Sequence, residues 1–120
     1  NPEISYRRGC GMKIVELREI QEKQFVFDCQ WDRFGLVLRE GEFACYSLDA
    51  QKDMEVEITF APGYSGGTLS LGRGQEEEIV SVSSEQRKVK VHIGAGSGAL
   101  TARMLEGEIC LERLGFREMF

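Results

Sequence analysis

The chain has almost no proline, a single histidine, a single tryptophan and no long apolar run. Its two prolines lie in no linker, repeat or low-complexity segment. With His92 alone, a histidine-based metal site or catalytic triad has at most one candidate. No stretch approaches the roughly 18 apolar residues of a membrane span. The opening NPEISY carries no basic-then-apolar leader pattern and reads as a cut from something longer. Basic residues number 15 against 20 acids, a net charge of -5. Nucleic acid, whose phosphates want clustered Lys and Arg, is therefore not an expected partner, and neither is a membrane.

What is present is ordinary for a soluble globular domain: 42% apolar and 29% charged residues in 120. One domain is expected at this length, with a sizeable core and no need for staples. Fourteen glycines point to many tight turns. Cys10, Cys29, Cys45 and Cys110 show none of the short spacings of zinc knuckles or redox pairs. Three sit in apolar runs (VFDCQW, EFACYSL, GEICLERL) and read as reduced core thiols. That favours a reducing compartment such as the cytoplasm, or an anaerobic source.

Strand periodicity runs through nearly the whole chain. Strands are expected at 12–20, 24–31, 34–39 and 42–48. In 53–61, Met54, Val56, Ile58 and Phe60 alternate with acids and Thr59. After a loop at 61–67, GTLSLG (67–72) places Leu69 and Leu71 inward. EEIVSVS, RKVKVHIG and ALTARM follow, with Val89, Val91 and Ile93 at period two. EICLERLGF (108–116) puts Ile109, Leu111 and Arg113 on one face, and Cys110, Glu112 and Leu114 on the other. A short helical turn in ELREIQEKQF is the one departure. About ten short strands with Gly-rich turns imply an all-β sandwich or barrel.

The chemistry-bearing motifs are few. His92 alternates with Val91 and Ile93 beside Lys88 and Lys90, on a solvated strand face. Ser65 in PGYSGG lacks the strand-to-helix turn of a nucleophile elbow. The glycines of SGGTLSLGRGQ open no helix, so they make no phosphate cradle. Glu76, Glu77 and Glu78 read as a solvated start to a protected edge strand. No carboxylate pair stands out for glycoside hydrolysis. Aromatics in loops are more telling. Trp31 lies in the turn QWDRF beside Asp32 and Arg33, and Tyr64 lies in the Gly-rich loop. Such rings beside charged groups suit stacking on a sugar. Trp31 has a second reading, as a core plug at one end of the sandwich.

The stretch GEFACYSLDAQKDMEVEITFAPGYSGGTLSLG resembles the centre of carbohydrate-binding module family 6 and its relatives. Gly41-Glu42-Phe43-Ala44-Cys45-Tyr46 matches the family's Gly-Asp-Trp-x-x-Tyr segment. EVEITFA (55–61) and Gly66-Gly67-Thr68-Leu69 match the next two strands. Ile109 to Phe116 lies in register with the family's closing segment. The resemblance covers about residues 12 to 117. It implies a jelly-roll β-sandwich of two antiparallel sheets, non-catalytic and attached to a plant-polysaccharide hydrolase in the same chain. It also implies a secreted protein.

The resemblance further implies site residues. Trp31 falls in the loop that gives the family's first stacking aromatic, with Asp32, Arg33 and Tyr64 around it. The second aromatic is missing from the loop 81–86, and Cys110 stands where the family has Asn. The concave face is the other implied sugar surface, with Glu42 and Tyr46 on it. A structural calcium is implied between Glu16 (or Glu19) and Glu112; calcium takes six or more oxygens. Two functions follow: a module that binds xylan-, cellulose- or arabinan-type polysaccharide, or an accessory domain that packs on a glycosidase and has lost its sugar site.

Overall fold

The computed structural model of the chain describes residues 13–17 and 25–118. These form ten strands: β1 (Lys13–Glu16), β2 (Phe25–Asp28), β3 (Gln30–Asp32), β4 (Gly35–Arg39), β5 (Phe43–Ala50), β6 (Met54–Phe60), β7 (Gly66–Arg73), β8 (Glu76–Val82), β9 (Lys88–Ile93) and β10 (Gly96–Glu118). There is no α-helix among the described residues. The helical turn expected in 16–25 falls mostly on residues outside those described, as does Cys10.

Every strand pairing is antiparallel, and β10 is the spine. Its first half lies between β5 and β7, with β2 beyond β5 and β8 beyond β7. Its second half lies between β6 and the pair β4 and β1, with β9 beyond β6 and β3 beyond β4. One strand therefore belongs to both layers, and their inner faces meet in one core. This is the two-layer all-β sandwich that the sequence pattern implies.

The period-two readings hold where a strand has one buried face. Met54, Val56, Ile58 and Phe60 are buried, as are Leu69, Leu71, Val89, Val91 and Ile93. Removing such side chains from water supplies about 1.5–3 kcal/mol each. The C-terminal alternation is corrected. A bulge between Leu111 and Arg113 adds a residue to β10, so Leu114 and Phe116 join Ile109 and Leu111 in the core. Arg113 turns outward to pair with Glu16. A strict period of two fails at a bulge because two residues there oppose one.

Phe43 and Tyr46 part company across β5. Phe43 pairs with Arg103, whose guanidinium lies 5.2 Å from the ring centroid, on the outer face. Tyr46 points inward and stacks on Phe116 at 5.1 Å. Cys45, expected in the core, is half-buried on the outer face, with Sγ 3.3 Å from Thr101 Oγ1.

Candidate functional site

The hairpin β3–β4 turns through Arg33 and Phe34. Asp32 shapes it: one carboxylate oxygen accepts the Phe34 N–H at 2.7 Å, an Asx-type local bond. The other accepts the Tyr64 hydroxyl, also at 2.7 Å. Gly35 lets the hairpin approach β10. It has φ +146°, and a Cβ there would lie 2.0 Å from the Leu111 carbonyl oxygen. Only glycine fits that contact.

Tyr64 packs on Val37, Ala61 and Cys110, a small apolar cluster on the outer face of the second layer. Burial and the bond to Asp32 push its phenol well above the ordinary tyrosine range. Burial alone would raise the Asp32 carboxyl. The Tyr64 hydroxyl, the N–H groups of Phe34 and Gly35, and the Arg33 charge outweigh it and hold that carboxyl below its usual value. Cys110 beneath is pushed up to about 12, first by burial and then by the Asp32 charge.

Trp31 pairs with Leu36, so it shares the strand face that leads into the core. It sits at the uncovered rim, however, and its side is 51% exposed, which rules out the core-plug reading. Asp32, its neighbour in the pleat, lies on the opposite face with Tyr64. The structure thus joins Asp32 to Tyr64 directly and sets Trp31 on the other side of the same strand. Arg33 sits at the tip, its guanidinium 4.8 Å from the Phe34 ring centroid.

Phe34 is the residue that sequence reasoning missed. It is 46% exposed, three residues from Trp31 in the same hairpin. The loop 81–86, where the family resemblance puts the second aromatic, has none. The available signal was an aromatic in a two-residue turn, where no sheet face can bury it.

Two expected residues are elsewhere. Tyr46 is only 2% exposed and is a core side chain, its hydroxyl accepting from Lys13 Nζ at 2.8 Å. It offers no ring to an outer face; Phe43 does. Glu42 is a turn former, its carboxylate accepting the Arg39 N–H at 2.8 Å. Its backbone N–H bonds the Arg39 carbonyl and its own carbonyl accepts from Met104.

Glu16 and Glu112 do come near each other, but around a cation the chain supplies itself. Arg113 lies 2.8 Å from Glu16 and 3.7 Å from Glu112, and Arg87 lies 3.7 Å from Glu112. Among the described residues no group of three or more His, Cys, Asp or Glu side chains is placed to hold a metal. Glu19, the alternative to Glu16, lies outside the described residues; Glu16 and Glu112, each shared with a guanidinium, do not by themselves supply the six to eight oxygens of a calcium site.

His92 and Ser65 stay with local partners. His92 faces Glu55 at 3.8 Å, and the Ser65 hydroxyl donates to the Gly66 carbonyl. Cys29, Cys45 and Cys110 are free thiols. No helix among the described residues is long and apolar enough to cross a membrane.

No protein-family model matches the chain, and no curated protein sequence does either. Solved structures do. The CBM1 domain of BiXyn10A, in its apo form, superposes with a TM-score of 0.67 at 12% identity, covering 89% of this chain and 97% of that one. A CBM35 domain of Abf62 from Cellvibrio japonicus gives 0.65 at 16% identity, covering 91% and 94%. A GH115 4-O-methyl-α-glucuronidase with specificity for decorated arabinogalactans gives 0.66 at 13% identity; 90% of this chain matches, over only 18% of that enzyme. CBM6 and CBM36 domains match as well. The chain accordingly has the β-sandwich fold of the carbohydrate-binding modules.

Proposed function

We propose that the chain is a non-catalytic carbohydrate-binding module for plant-type polysaccharide of the xylan, cellulose or arabinan class, carried by a larger glycoside hydrolase. The observation that carries the reading is the exposed Trp31 ring at a hairpin whose conformation is fixed by Asp32, Tyr64 and Gly35. A rigid, exposed indole stacks on a sugar's apolar face at little ordering cost. Phe34 adds a second ring at the same tip and Arg33 adds hydrogen-bond donors, while Asp32 braces the hairpin from the opposite face. Modules of this fold among the neighbours support the same reading.

Titration with xylan-, cello- and arabino-oligosaccharides tests it, read by the fluorescence of the chain's single tryptophan. The expected affinity is on the order of 0.1–1 mM, roughly 4–5.5 kcal/mol, with Trp31→Ala abolishing it. An unchanged spectrum at millimolar sugar overturns the hairpin site.

A second reading is an accessory domain that packs on a catalytic domain. Ile14, Val26 and Phe27 favour it, being 48%, 62% and 38% exposed on β1 and β2. A glycan screen without hits, together with tight association with the parent catalytic domain, would select that role.

A further inference from the structure

A cleft of about 160 Å³ opens far from the hairpin. Ile93 pairs with Met54 at one end of β6, and Leu111 pairs with Phe60 at the other. The cleft lies at the Ile93 end, between edge strands β8 and β9, whereas Trp31 belongs to the Leu111 end through Leu36. Its floor is the buried Leu71, Val91, Ile93 and Leu100.

Arg73 lines this cleft and is only 9% exposed. It sits on the core-facing side of β7, where an apolar residue would close the sandwich more cheaply. Its Nη1 donates to the Gly96 carbonyl at 3.2 Å and its Nη2 to the Gly94 carbonyl. Two glycines make room for it. A Cβ at Gly98 would lie 3.1 Å from Arg73 Cγ, and one at Gly96 would lie 3.4 Å from Nη2. A guanidinium has five N–H donors, and two bonds to protein leave the rest of the fork for a ligand. Glu76 and Glu78 pair with Arg73 and Leu71 in register, so they stand on the same face, exposed at the mouth. Neither forms an ion pair with Arg73 among the described residues.

We propose that this cleft is a second saccharide site, taking the terminal unit of a neutral glycan. The inference rests on the carbohydrate-binding reading and adds a location and a ligand class to it. Sugar hydroxyls accept from the guanidinium and donate to the carboxylates, while the ring's apolar face meets the aliphatic floor. Glu76, Glu77 and Glu78 disfavour an anionic sugar, and the Arg73 charge disfavours a metal ion. The volume falls well short of the roughly 300 Å³ where drug-sized pockets begin, so the cleft takes one unit and not a stretch of chain.

The test is a chemical-shift titration of ¹⁵N-labelled protein with xylose, arabinose, glucose and galactose, and with xylotetraose and cellotetraose. Saturable shifts are expected for amides of 72–78 and 91–98, retained in Trp31→Ala. Glu78→Ala removes one charge-assisted bond and should weaken them about tenfold. Arg73→Lys should weaken them at least as much. Should that variant not fold, Glu78→Ala, at an exposed position, decides. Shifts confined to 31–35 overturn the cleft and leave the hairpin reading standing. No shift anywhere overturns both. Cleft shifts that neither variant weakens overturn the assigned chemistry.

Discussion

The Tyr64 hydroxyl reaches the Asp32 carboxylate across 32 positions of chain, at 2.7 Å. It fastens the Gly-rich loop after β6 to the hairpin that carries Trp31. Tyr64→Phe keeps the ring packed on Val37, Ala61 and Cys110 and deletes only this bond. The expected loss is about 0.5–1.5 kcal/mol in denaturant unfolding. The same bond gives a pH signature. The Asp32 carboxyl is held below its unfolded value, so its contribution is present above the unfolded pKa, about 3.9, and is lost as pH falls through the lowered folded value. Stability measured from pH 5 downward should decline less steeply in Tyr64→Phe than in the parent.

At the alkaline end the thiols take over. Burial pushes Cys29 and Cys110 up to about 12. Their contribution is complete below the unfolded thiol pKa near 8.5. It declines as pH rises from there towards the folded value, because the unfolded chain ionises first. Unfolding free energy should fall between pH 8 and pH 11, and Cys110→Ala should flatten part of that slope. All four cysteines should titrate as free thiols in denaturant without reductant. Fewer than four would reveal a bridge.

Two aromatics test the assignment of rim and core. Trp31→Ala should change stability by no more than about 0.5 kcal/mol, as for an exposed side chain. Tyr46→Ala should cost about 3–5 kcal/mol, as for a buried aromatic. Thermal and denaturant melts of both variants check this. A large loss in Trp31→Ala would return that ring to the core.

Glycine positions separate two kinds of constraint. Gly41 has φ +84° with open space where a Cβ would go, so Gly41→Ala bears only the left-handed backbone penalty, about 1–2 kcal/mol. Gly35→Ala adds a collision with the Leu111 carbonyl and should lose more than about 3 kcal/mol, within the range diagnostic of backbone conflict. Equal losses would show that the β3–β4 hairpin can back away from β10.

Short apolar alternations bounded by glycine determined the strands, because a half-buried strand needs a period of two and little else. They also determined most of the core, from Met54 through Phe60 and from Val89 through Ile93. The order of motifs along the chain pointed to the sandwich. The sequence equally marked Trp31, Asp32, Arg33 and Tyr64 as unusual, since its pattern puts each aromatic or charged residue in a turn or loop; the structure places Trp31 and Asp32 at the end of strand β3. Tertiary structure decided the rest. The bulge after Leu111, which moves Leu114 inward and Arg113 outward, depends on pairing with β6, and periodicity holds no record of a partner strand. Whether Tyr46 or Phe43 faces out depends on which side of β5 the second layer covers. Asp32 and Tyr64 meet only because β4 and β10 bring their loops together. Arg73 lies in a cleft only because glycines in β10, far along the chain, vacate the space for its side chain.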